Sequence, residues 1–205
     1  MARKILPLLL VLTGLMLAGC KEYGKVEQGR TVGFDKEKAT VTIIVDNNLD
    51  SKKQPNYTTL PPHVYSLPAD RAERGEDPSP ALRMNLDVEK KTITMYNPQT
   101  KAFEELPFEV KDDHQNVDVR RRHPLVWDQK TRRAIKFPQI NAAEKTITIY
   151  SRRQLRLTTI KLSEEDFGKY KGDEWDAGDE VRIYYKEQGK ALRFMNITKT
   201  NLYGR

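Results

Sequence analysis

One phrase recurs along this chain and limits what it can fold into. Leu86-Asp87-Val88-Glu89-Lys90-Lys91-Thr92-Ile93-Thr94-Met95-Tyr96 returns as Ile140-Asn141-Ala142-Ala143-Glu144-Lys145-Thr146-Ile147-Thr148-Ile149-Tyr150. An earlier copy runs from Asp35-Lys36-Glu37-Lys38 into Ala39-Thr40-Val41-Thr42-Ile43-Ile44-Val45. In each, an Asp or Asn stands five positions before the first strand Thr, and the starts at Asp35, Asp87 and Asn141 are 52 and 54 residues apart. Alternation with a period of two, carried by β-branched residues, marks a strand with one buried face. The short Asp or Asn side chain bonds nearby backbone and sets the turn. A looser fourth copy joins Glu180–Tyr185 to Ala191–Ile197 through Lys186–Lys190. Repetition at such a spacing predicts a repeated supersecondary unit.

The remaining stretches fit around these hairpins. Leu60–Pro68 holds a short segment flanked by prolines, the mark of an edge strand. Ala102–Val110 and Gln154–Leu162 alternate, whereas Lys111–Asn116 is a polar break and the candidate boundary. Ser163-Glu164-Glu165-Asp166 has a cap residue followed by acids, predicting one short helix near 163–170. The fold expected is all-β, in two tandem modules over 29–112 and 117–203, each with two hairpins around a variable middle. Such modules resemble OB-fold or SH3-like barrels, in which closure removes free edges. One continuous sandwich is the alternative.

The N-terminus resembles a bacterial lipoprotein precursor. Arg3 and Lys4 precede an apolar run from Ile5 to Ala18, which ends in the lipobox pattern Leu17-Ala18-Gly19-Cys20. The run is short for a spanning helix of ~20 residues and fits a cleaved signal over 1–19. The resemblance implies diacylglyceryl transfer to the Cys20 thiol, cleavage before it, and a lipidated tether over 20–28. Lys21, where an Asp would signal inner-membrane retention, favours the outer membrane, facing the periplasm. Cys20 is the only cysteine, so no disulfide is available and stability rests on core packing.

After removal of residues 1–19, 34 basic side chains face 29 acidic ones. This mild positive balance does not call for nucleic acid, and an exported chain meets anionic envelope polymers instead. His63, His114 and His123 lack metal-ligand spacing, and there is no Gly-x-Ser-x-Gly elbow or phosphate-binding glycine loop. No cofactor, metal or catalytic residue is therefore expected. The arginine clusters are the candidate polyanion site: Arg120, Arg121 and Arg122, then Arg152, Arg153 and Arg156, with Trp127, Tyr150 and Tyr184 close by if their strands converge. Arginine grips phosphate and carboxylate through its planar fork. Lys21–Val26, Val32–Asp35 and Asp176–Ile197 are similar to an uncharacterised lipoprotein family of sulfate-reducing bacteria with a domain of unknown function. That similarity implies location but no activity. The expectation is a membrane-anchored, non-enzymatic module that binds an envelope protein or anionic polymer. An envelope enzyme or a small-ligand or metal carrier is the alternative.

Overall fold

The computed structural model describes residues 23–48 and 55–200. The signal, Cys20 and the last residues of the chain lie outside them. Among the described residues there are fourteen strands and one α-helix, so the chain is mostly β, in antiparallel sheets. No described helix is long and apolar enough to cross a membrane.

The first sheet joins the two ends of the chain. β1 (Lys25–Asp35) lies between β2 (Thr40–Val45) and β13 (Glu180–Tyr185), with β3 (His63–Ser66) and β14 (Ala191–Asn196) at the edges. Arg30 is opposite Ile44 on one side and Glu180 on the other. Val41, Ile43, Tyr65, Val181, Ile183, Tyr185 and Phe194 form one buried cluster enclosed by this sheet. Its edges touch at a single parallel bridge, Ser66–Lys190, so the sheet curls without closing.

The repeated phrase builds two three-stranded meanders. One comprises β4 (Arg83–Asp87), β5 (Thr92–Asn97) and β6 (Ala102–Pro107); the other comprises β10 (Gln139–Asn141), β11 (Thr146–Ser151) and β12 (Arg156–Lys161). The second meander gains β7 (Glu109–His114) along β12. Ile93, Met95, Leu106 and Phe108 meet Ile147, Ile149, Ile160 and Leu162 in the main core, sealed by Ile44, Tyr170 and Trp175. The helix α1 (Glu164–Lys169) falls where the cap predicts it, with the Asp166 amide donating to the Ser163 hydroxyl at 3.0 Å. A two-stranded ribbon, β8 (Trp127–Asp128) with β9 (Arg133–Ala134), completes the fold.

The turn chemistry repeats more widely than the phrase. Asp35, Asp87 and Asn141 each accept from the amide three residues on, and Ala39, Lys91 and Lys145 each hold a left-handed backbone. Asn97, Asp128 and Ser151 do the same, followed by left-handed Lys101, Arg132 and Leu155. An Asx-type bond at the first position thus fixes a five-residue hairpin turn six times.

Two expectations change. The barrels do not form: no sheet among the described residues closes, and the first and last hairpins share a sheet across the presumed module boundary. Alternation says that a strand has a buried face but not which strand lies beside it. The polar break at 111–116 falls largely within β7. An edge strand with one wet face can be nearly all polar, and Asp113 on it binds Arg156.

Candidate functional site

The arginines singled out in the sequence scatter. Arg120 and Arg121 are in an exposed 3-10 turn, with side chains 77% and 88% accessible, and both lean on Asp118. Arg122 has a left-handed backbone, with its guanidinium 5.5 Å from the Trp127 ring. Arg156 is a structural partner: its Nε and Nη2 donate to both oxygens of Asp113 at 2.7 and 2.8 Å, while Thr158 adds a third bond. The fork holds Asp113 below the usual carboxylate range. Tyr150 caps a small apolar cluster, donating to the Val117 carbonyl. Tyr184 is on β13, in the other sheet. Arg152 and Arg153 are in the β11–β12 turn.

Arg153 does meet other arginines, ones that sequence reasoning missed. A cleft of about 180 Å³ is walled by Arg30 from β1, Arg83 at the start of β4, Arg153, and Tyr57 from the loop before β3, with Asn85 and Gln154 among the polar groups at its side. Among the described residues, no Asp or Glu is on its wall. Arg30 spans β1 and β4, with its Nη1 donating to the carbonyls of Arg83 and Met84 at 3.1 and 2.7 Å. Its guanidinium lies 4.3 Å from the Tyr57 ring centroid, a cation–π distance. Arg83 donates from Nε to the Trp175 carbonyl, and its Nη2 is 3.7 Å from Asp176. Burial, reinforced by the Arg30 charge, lowers the Arg83 pKa to about 10.

Two polar atoms of this wall are buried without a hydrogen-bond partner among the described residues: Nε of Arg30 and the hydroxyl of Tyr57. Tyr57 is 7% exposed. Burial pushes its phenol up to about 12, despite the opposing pull of Arg30, so the hydroxyl keeps its proton at neutral pH. Each unpaired buried donor costs about 1–3 kcal/mol, and both atoms have almost no accessible surface.

A second polar cluster is satisfied internally. The Glu27 carboxylate accepts from Nδ1 of His63 at 2.8 Å and from the hydroxyls of Tyr65 and Tyr185, each at 2.7 Å. Gln188 donates to the Tyr65 hydroxyl. Burial pulls the Glu27 pKa upward, but the donors from His63, Tyr185 and Tyr65 outweigh it and hold the carboxyl below its ordinary value. The cluster ties β1, β3 and β13 together where the curled sheet begins. Among the described residues, no group of three or more His, Cys, Asp and Glu is arranged to hold a metal.

In comparisons with known proteins, a family model described as a domain of unknown function, DUF4881, matches residues 22–205. Neither a curated protein nor a solved structure matches the chain. The match spans both ends of the curled sheet and every wall residue of the arginine cleft, and the chain belongs to the DUF4881 family.

Proposed function

We propose that this chain is a lipid-anchored protein of the cell envelope, held through Cys20 at the outer membrane and facing the periplasm, that works by binding an envelope protein or anionic polymer and not by catalysis. The single observation that supports the binding part is the cleft lined by Arg30, Arg83 and Arg153, with no carboxylate among the described residues of its wall. The anchoring part rests on Arg3 and Lys4, the apolar run and the Leu17-Ala18-Gly19-Cys20 pattern. Each acyl CH2 buried in a bilayer contributes roughly 0.8 kcal/mol, so two or three chains on one cysteine make release negligible. The first strand starts at Lys25, five residues beyond Cys20, which keeps the β fold close to the membrane surface.

Fractionation of cells expressing the wild type and Cys20→Ser tests the anchor. The wild type is expected in the outer-membrane fraction, with an acylated N-terminal cysteine by mass spectrometry. Cys20→Ser is expected as an unacylated precursor or a released chain. An unmodified wild-type precursor, or a Cys20→Ser chain located and processed like the wild type, overturns the reading. Binding is tested with immobilised lipopolysaccharide. Capture should weaken steeply as salt rises, as screening of exposed charge requires, and salt-independent or absent capture counts against an anionic polymer.

A further inference from the structure

Three exposed apolar side chains gather where the chain enters the fold. Tyr23 is 94% exposed, Val26 on β1 54% and Leu192 on β14 45%. The register sets Val26 beside Tyr184 of β13, and Tyr184 beside Arg193 of β14, so these side chains share one face of the curled sheet. It is the outer face, because Ile183 and Tyr185 on either side of Tyr184 belong to the enclosed cluster. A register shift leaves Leu192 without a partner on β13, between Ala191 and Arg193. Gly24 lies against Tyr184: an ideal Cβ on it would come within 2.3 Å of the ring, so the entering chain is held to this face. Exposed Lys25 and Lys186 flank the patch. The acids nearby are engaged, Glu187 with Lys190 and Glu73 with Arg193. The covalent chain limits what can cover the patch. Cys20 precedes Tyr23 by three residues, so their Cα atoms are at most about 11 Å apart in any conformation. With Cys20 acylated, the patch cannot stand clear of the bilayer surface. Its composition suits that surface: tyrosine favours the membrane–water interface, and lysine lays its stem along apolar groups while its ammonium stays among anionic headgroups.

We propose that the start of β1 and the adjoining β13–β14 hairpin form a membrane-docking face, with Tyr23, Val26 and Leu192 set into the headgroup layer over Tyr184 and with Lys25 and Lys186 at the lipid phosphates. This rests on the reading of Cys20 as the lipid anchor and adds an orientation to it. β1 has eleven residues, so the β1–β2 turn at its far end stands about 30 Å from the docked end. That turn, with the exposed Glu37 in it, is then directed away from the lipid.

Spin labels test this. Cys20 is the only cysteine and acylation consumes its thiol, so Val26→Cys, Leu192→Cys and Glu37→Cys each accept a single nitroxide. Each protein, its acylation verified by mass spectrometry, is reconstituted in vesicles of phosphatidylethanolamine and phosphatidylglycerol. The ratio of collisions with oxygen to collisions with a water-soluble nickel chelate should be at least about threefold higher at 26 and 192 than at 37, as burial in the headgroup layer requires. Val26→Asp should bring the ratio at 192 back to that at 37, because a carboxylate does not enter an anionic surface. Equal ratios at the three sites of the acylated protein overturn the inference and leave the anchor standing. A ratio at 192 unmoved by Val26→Asp assigns its depth to the tether alone and overturns the docking face. Spin–spin broadening at 26 or 192 identifies a second copy as the occupant and overturns it too. Both label sites are exposed in the fold, and if one variant fails to fold the other decides. An unacylated wild type, seen in the mass spectrum before any label is read, removes the anchor and this inference with it.

Discussion

Replacing Gly178 by Ala should be among the most damaging single-methyl changes in this fold. An ideal Cβ there would sit 1.8 Å from the Thr31 carbonyl oxygen, 2.9 Å from the Ala81 nitrogen and 3.0 Å from the Thr31 carbonyl carbon. All three are backbone atoms, so no side-chain rotation relieves the clash. The same spot carries three backbone bonds: Thr31 N–H to the Asp179 carbonyl at 2.9 Å, Ala81 N–H to the Thr31 carbonyl at 3.2 Å, and Asp179 N–H to the Ser79 carbonyl at 2.9 Å. Retreat of residues 178–179 from β1 and from Ala81 would stretch the first and the third. Overpacking costs about 1–3 kcal/mol and each lost bond about 1 kcal/mol, giving roughly 3–5 kcal/mol against a total stability of about 5–15 kcal/mol. With a urea slope of about 2 kcal/mol/M, the midpoint should fall by about 1.5–2.5 M, followed by fluorescence of Trp175, which is 1% exposed. Gly168 in α1 is the control, because a Cβ there meets nothing within 4 Å; Gly168→Ala should gain about 0.5–1 kcal/mol. A Gly178→Ala midpoint equal to the wild type would refute the close approach of β1 to this segment, and with it the joining of the chain's two ends in one sheet.

Two further predictions concern acid groups. The folded pKa of Glu27 is below its ordinary value, so the stability it contributes is present above the unfolded value of about 4.3 and lost as pH falls through the folded one. Glu27→Gln should cost about 1–3 kcal/mol at neutral pH and flatten the acid limb of a stability–pH profile; an unchanged limb would contradict the role of His63, Tyr65 and Tyr185 as its donors. Asp113 is depressed by Arg156 and obeys the same sign. Arg156→Ala should lower neutral-pH stability by about 1.5–3 kcal/mol, and an unchanged stability would contradict its role as the partner of Asp113.

The hairpins were legible because both their causes are local. Thr92-Ile93-Thr94 and Thr146-Ile147-Thr148 alternate, and Asp87 and Asn141 set turns through bonds three residues long. The cap at Ser163 and the edge strand beside Pro61 and Pro62 were readable for the same reason. The turns at Asn97, Asp128 and Ser151 follow the same chemistry but vary in the residues around them, so the eye passes over them. Sheet assembly was not legible: β1 pairs with β13 through contacts such as Lys25 with Tyr185, and no local pattern encodes a partner so distant. The cleft was hidden for a related reason. Runs such as Arg120-Arg121-Arg122 draw attention, yet they sit in an exposed turn, whereas Arg30 and Arg83 are isolated in sequence and meet only because β1 and β4 do. Arg153 alone belonged to a visible cluster and reaches the cleft wall.

The most direct test of the anchored account is intact-mass spectrometry of the wild-type chain taken from the outer-membrane fraction. The account predicts a mature chain that begins at an acylated Cys20. An unmodified precursor, or a chain that begins elsewhere, would contradict it.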